Sequence, residues 1–178
     1  MFSTTGGDDE HKGVLTTTTN IEDEKIHETD VLISDLIGEE IRKVEINGEK
    51  HLMLADDIYK SRSDTKVTME GITHGDNHRV LVMAAVSAMG NARKAVMLVD
   101  TGSPATFLTE ETLNALGIKV ENMPMDDVLL LVNRRWVTVH LSKAHFADVN
   151  VLGTDFLSKG DLYVSYQGET ARITIPEY

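Results

Sequence analysis

The residues most able to do chemistry stand together in the middle of the chain. The apolar run Val96-Met97-Leu98-Val99 delivers a lone carboxylate, Asp100, into the polar turn Thr101-Gly102-Ser103-Pro104, after which Ala105-Thr106-Phe107 resumes a strand-like pattern. A carboxylate at the end of a buried strand costs several kcal/mol unless donors surround it, so a function would account for its presence. The function open to a carboxylate is proton transfer with water. One such group cannot both accept a proton from water and donate one elsewhere, whereas two carboxylates sharing a single proton can do both.

The segment Asp100-Thr101-Gly102-Ser103 resembles the Asp-Thr-Gly motif of aspartic peptidases. Val151-Leu152-Gly153 is similar to the later apolar-apolar-Gly element of that family, and Thr154-Asp155-Phe156-Leu157 to the helix start after it. The ordered set is similar to the retropepsin-like group of retroviruses and retrotransposons, over about residues 78–176. The resemblance implies a mostly β, closed β-barrel with two short helices, preceded here by an N-terminal helical and hairpin extension. It also implies an aspartic endopeptidase with Asp100 as its catalytic carboxylate. Because the chain has one such motif, the site would form across a two-fold homodimer in which both Asp100 side chains meet. Thr101 would bond across the axis, Gly102 would let backbone approach the carboxylates, and Ser103 would donate to an Asp100 oxygen. Val151, Leu152 and Gly153 would support that loop from behind. The substrate would be a peptide or polyprotein, with no cofactor and no metal.

The elements that must hold this site are marked by turn residues. Gly90-Asn91 between two apolar runs, 80–86 and 95–99, predicts an antiparallel hairpin. A strand over 105–108 is followed by Thr109-Glu110-Glu111, an N-cap and two first-turn acids, with Gly117 as the stop of a two-turn helix. Strands over 128–132 and 136–141 flank Asn133-Arg134. A short helix over 154–159 stopped by Gly160 precedes strands over 162–166 and 171–175 around Gln167-Gly168. The family's flap, a hairpin that closes over substrate, has two possible places. If 128–132 and 136–141 are barrel strands, only 119–127 remains for it, without a glycine. If Asn133-Arg134 is the flap tip, a core strand is missing. A shortened flap leaves a second interpretation open: a catalytically inactive dimerisation or peptide-binding module.

Upstream, residues 1–28 are acidic and poor in apolar patterning, which predicts a disordered tail. Residues 29–65 predict an extension, with a helix from Thr29 or Asp30 to about Lys43 carrying Ile33, Ile37 and Ile41. There follows a hairpin of 44–46 with 51–53 around Asn47-Gly48, then a possible helix over 55–60. The peptidase-like domain is expected over 66–178. His74, Asp76 and His78 share a polar turn without a third strong ligand alongside the histidines, so a solvated turn is expected there rather than a metal site. Trp136 is expected to pack in the core or half-buried on its strand.

Composition narrows the remaining classes. A net charge of −12 without any long Lys/Arg run argues against nucleic acid as a partner. No stretch approaches the roughly 18 apolar residues of a membrane span. The absence of cysteine removes thiol chemistry and disulfides. No signal peptide is legible at the start, and these features together predict a soluble, cytoplasmic protein.

Overall fold

The computed structural model describes residue 36 and residues 38–55, 66–123 and 127–176. Its centre is a hairpin of β4 (Arg79–Ala88) and β5 (Asn91–Val99). The turn is Met89-Gly90, both at positive φ (51° and 81°), which suits the twist of a two-residue hairpin. It lies one residue earlier than the Gly90-Asn91 expected. Gly90 takes the left-handed conformation, and Asn91 opens β5 with its side chain donating to Leu116 O at 3.0 Å.

Four further strands close a ring with this hairpin: β6 (Thr106–Leu108), β7 (Asp127–Val132), β8 (Arg135–Leu141) and β9 (Val151–Leu152). The order β4-β5-β9-β6-β8-β7 returns to β4 through Val86↔Val132 and Ser87↔Leu131. The expected closed β-barrel is therefore present, with six strands. Its interior is filled by Val82, Ala84, Ala95, Met97, Leu130, Val139 and Leu152. The same edge of β4 that meets β7 at its far end pairs with β3 (Lys66–His74) at its start. From β3 the sheet continues into β11 (Thr170–Pro176) and ends at β10 (Asp161–Ser165).

The described helices are short. α1 is Gly38–Lys43, α2 is Glu110–Ala115 and α3 is Thr154–Leu157. α2 has the expected signals: Thr109 Oγ1 accepts from Thr112 N at 3.1 Å, and Gly117 sits at φ 82°. α3 is a single turn, shorter than the 154–159 expected, with the chain turning through Ser158 towards Gly160.

Residue 36 and residues 38–55 pack on the outside of the barrel. Leu36, Ile41, Val44 and Ile46 join Leu81, Met83, Val96, Leu98, Val149 and Val151 in a second apolar cluster. The expected turn Asn47-Gly48 joins β1 (Glu45–Ile46) to β2 (Glu49–Lys50). A two-residue turn places Glu49 directly opposite Ile46, so the second strand begins there and not at 51–53. Ala55 follows a β-bridge of Leu54 with Arg93, its N donating to Ala92 O. The expected tail over 1–28, the helix before residue 36 and the helix over 56–60 lie outside the described residues.

Candidate active site

β5 ends at Val99, and Asp100 is fastened to β9 by its own backbone, its N donating to Leu152 O at 3.1 Å. The carboxylate is held by the turn that follows: Gly102 N donates to Asp100 Oδ1 at 2.8 Å, and Ser103 N donates to Asp100 O at 3.3 Å. Thr101 and Gly102 are exposed, while Ser103 is buried. A Cβ on Gly102 would stand 3.2 Å from Asp100 Oδ1, which favours glycine where backbone approaches the carboxylate. Ser103 Oγ does not reach Asp100. It donates to Ala105 O at 2.7 Å, so its hydroxyl shapes the turn and the expected bond to the carboxylate is not made within this chain.

The loop is locked from behind by the segment after β9. Ser103 O accepts from Thr154 N at 2.8 Å and from Thr154 Oγ1 at 3.1 Å. Gly153 is buried against the backbone of Ala105, where any Cβ would overlap the Ala105 carbonyl. Val151 and Leu152 are buried on β9, paired with Leu98 and Val99 of β5. The structure thus brings together Asp100, Thr101, Gly102, Ser103, Val151, Leu152 and Gly153, from two parts of the chain about fifty residues apart.

Two polar side chains without an assigned role in the sequence complete this lock. Asp155 accepts from Thr106 Oγ1 at 2.7 Å, from Thr106 N at 3.2 Å and from Phe156 N at 2.8 Å. Thr106 Oγ1 in turn accepts from Gly153 N at 3.2 Å. Asn150 makes three bonds to two neighbouring segments, the α2 cap and β5: its Oδ1 accepts from Thr109 N, its Nδ2 donates to Val96 O, and its backbone O accepts from Leu98 N. These groups are buried or partly buried and mutually satisfied, as a rigid mount requires.

β7 and β8 exclude one of the two expected flap placements. Both are barrel strands, joined by Asn133 and Arg134 at φ 43° and 67°. Asn133 N donates to Ala85 O at 2.7 Å and its side chain accepts from Ala85 N. Ala85 faces Lys94, and six residue steps along the strand take Lys94 to Asp100, about 20 Å. Asn133-Arg134 is thus at the far end of the barrel and is no flap tip. The remaining segment contains a 3-10 turn, Val120–Asn122, before β7. Trp136 lies outward on β8 and is 63% exposed, not packed in the core.

At the β3–β4 turn, the His78 ring packs edge-on against Tyr166 at 5.8 Å. Among the described residues no group of three or more His, Asp or Glu side chains is placed to hold a metal ion. No described helix is long and apolar enough to cross a membrane.

No family model and no curated protein matches the chain. Among solved structures, it is similar to a retropepsin-like aspartic protease from Rickettsia conorii. That similarity has 16% identity and a TM-score of 0.47, and covers 66% of this chain and 100% of the other.

Proposed function

We propose that this chain supplies one half of an aspartic endopeptidase site, with Asp100 as the catalytic carboxylate and a second copy of the chain supplying the other. The observation that carries the proposal is the mounting of Asp100. Its carboxylate sits in an exposed glycine turn, held by Gly102 N, while its backbone is bonded to β9 and its loop to Thr154. A rigid mount behind an accessible carboxylate is what positioned proton transfer needs. Two Asp100 groups sharing one proton would activate water and protonate the scissile carbonyl of an extended peptide or polyprotein segment without a covalent intermediate. Thr101, exposed beside Asp100, is available to bond across the two-fold axis.

A second reading, a binding module that does not close over a substrate, rests on Asn133-Arg134 being bonded to Ala85, away from Asp100. Cleavage distinguishes the two. A diverse peptide library incubated from acid to neutral pH at high protein concentration is expected to be cut, with a bell-shaped profile and an acidic optimum. Asp100→Asn is expected to lower the rate by about 100- to 10,000-fold, the usual worth of a positioned general acid–base group, with unchanged thermal unfolding. Library binding without cleavage by the unmodified protein would favour the module; cleavage surviving in Asp100→Asn would refute the assignment.

A further inference from the structure

The segment from α1 to Ala55 takes no part in the chemistry proposed for Asp100, yet it is stitched to the strand that carries Asp100. Successive polar groups along one edge of β5 are taken by different partners. Ala92 O accepts from Ala55 N at 3.3 Å, Lys94 O from Leu52 N at 2.7 Å, and Lys94 N donates to Met53 O at 2.8 Å. Further on, Val96 O is taken by the Asn150 side chain, Leu98 N by Asn150 O and Asp100 N by Leu152 O. Between these two sets stands Val96 N, which donates to Nδ1 of the His51 imidazole at 3.1 Å. One titratable side chain fills the place where a backbone carbonyl would continue the row.

An imidazole nitrogen accepts a hydrogen bond only while it carries no proton, whereas a carbonyl accepts at every pH. We propose that His51 is an acid-sensitive latch: protonating its ring breaks the bond from Val96 N and loosens residues 51–55 from β5, uncovering the edge of the strand that leads to Asp100. Arg42 of α1 and Glu111 of α2 are the charged groups acting on the ring. They are paired with each other at 2.8 Å, Glu111 favouring the protonated ring and Arg42 opposing it. The Lys94–Glu49 ion pair, at 3.0 Å, holds β2 to β5 beside the latch and is made without the ring.

Burial is the largest influence on His51 and holds its pKa below the ordinary histidine value. The attached state therefore prefers the neutral ring, and the released state takes up a proton more readily. The latch's contribution is complete above the ordinary histidine value of about 6.5. It is lost as pH falls below that value and through the lowered one.

The inference stands apart from peptide cleavage, because its readout is hydrogen exchange. Protection factors, corrected for intrinsic rates, are measured for the Leu52, Ala55, Lys94 and Val96 amides between about pH 7.5 and about pH 5, where a histidine changes charge. Protection is expected to fall by about tenfold, as the loss of one buried hydrogen bond allows. The Ala95 and Met97 amides, which face β4 by alternation, are expected to keep theirs. In His51→Asn, whose amide oxygen accepts at every pH, the fall is expected to disappear. The same fall in His51→Asn, or none in the unmodified protein, would overturn the latch. Should that variant not fold, the His51 ring titration in the unmodified protein decides: its midpoint must coincide with the loss of protection, and a mismatch overturns the proposal.

Discussion

Asp155 shows how much of the candidate site depends on a side chain that touches no substrate. Its carboxylate satisfies the N–H and hydroxyl of Thr106 and the N–H of Phe156. Thr106 is fully buried. Truncating Asp155 to alanine would leave those donors of the buried Thr106 without their acceptor, at about 1–3 kcal/mol for each unsatisfied group. Asp155→Ala is therefore expected to lower unfolding stability by about 2–4 kcal/mol in urea titrations, and Asp155→Asn, which keeps one acceptor oxygen, by about half as much. Equal losses in both variants would show that the charge, not the acceptor geometry, matters. Asp100 and its turn are legible in the sequence because an apolar run ending in Asp-Thr-Gly is a local pattern. The role of Asp155 is not. Locally it looks like an acid at a helix start, which the dipole would favour, and nothing local places Thr106, forty-nine residues earlier, beside it. Ser103 marks the opposite failure: a hydroxyl three residues from a carboxylate suggests a bond, but the turn aims it at Ala105 O.

At the scale of elements, turn chemistry carried most of the legible information. Asn47-Gly48, Gly90, Gly117 and Asn133-Arg134 all mark real reversals of the chain at positive φ, and Thr109 caps the helix expected of it. Strand placement within the sheet was not legible, because it is set by partners distant in sequence. β3 drew no individual assignment: its alternation is interrupted at Gly71, where a Cβ would meet Leu81 O and Val82. The apolar strand over 171–175, which as an unpaired edge would be expected to seek a dimer interface, is enclosed. β11 pairs with β10 on one side and β3 on the other, and its Ala171, Ile173 and Ile175 are buried. Ile173 and Ile175 contribute to the main core. Each large aliphatic side chain lost from a core costs about 2–5 kcal/mol, a large fraction of a domain's total stability. Deleting residues 172–178 is therefore expected to unfold the protein, seen as loss of the cooperative thermal transition and of near-ultraviolet circular dichroism. A folded, monomeric, inactive product would show instead that β11 belongs to an interface and not to the fold.

For the whole molecule, the question is which surface could bring two Asp100 groups together. Among the described residues, and apart from Met53 and Leu54, two exposed apolar regions compete. One lies around Met89, Leu129 and Trp136, at the far end of the barrel from Asp100; the other is β10 with the turn after it, where Leu162, Tyr163 and Tyr166 are 39%, 64% and 58% exposed. Among the described residues β10 ends the sheet, so within them it offers an edge of backbone donors and acceptors as well as apolar area, the combination that invites strand addition. Its sequence also suits pairing with itself. In an antiparallel pair centred on Tyr163, Asp161 faces Ser165 and Leu162 faces Val164, so no like charges are opposed. The net charge of −12 gives two copies a general repulsion, which salt screens beyond about 10 Å and which a local strand pair can outweigh. If the proposed half-site is completed through this edge, Tyr163→Lys places two ammonium groups opposite each other on the axis. It is expected to raise the protein concentration for half-maximal cleavage and for dimer sedimentation together by about tenfold or more, since like charges directly opposed on a strand pair are destabilising. Because the Tyr163 side chain is exposed, the unfolding midpoint of the monomer is expected to stay unchanged. Trp136→Lys, made in parallel on the other region, is expected to leave both concentrations where they were. A dimer weakened by Trp136→Lys and indifferent to Tyr163→Lys would move the interface to the far end of the barrel, where strand pairing through β10 would have no part in joining the two Asp100 loops.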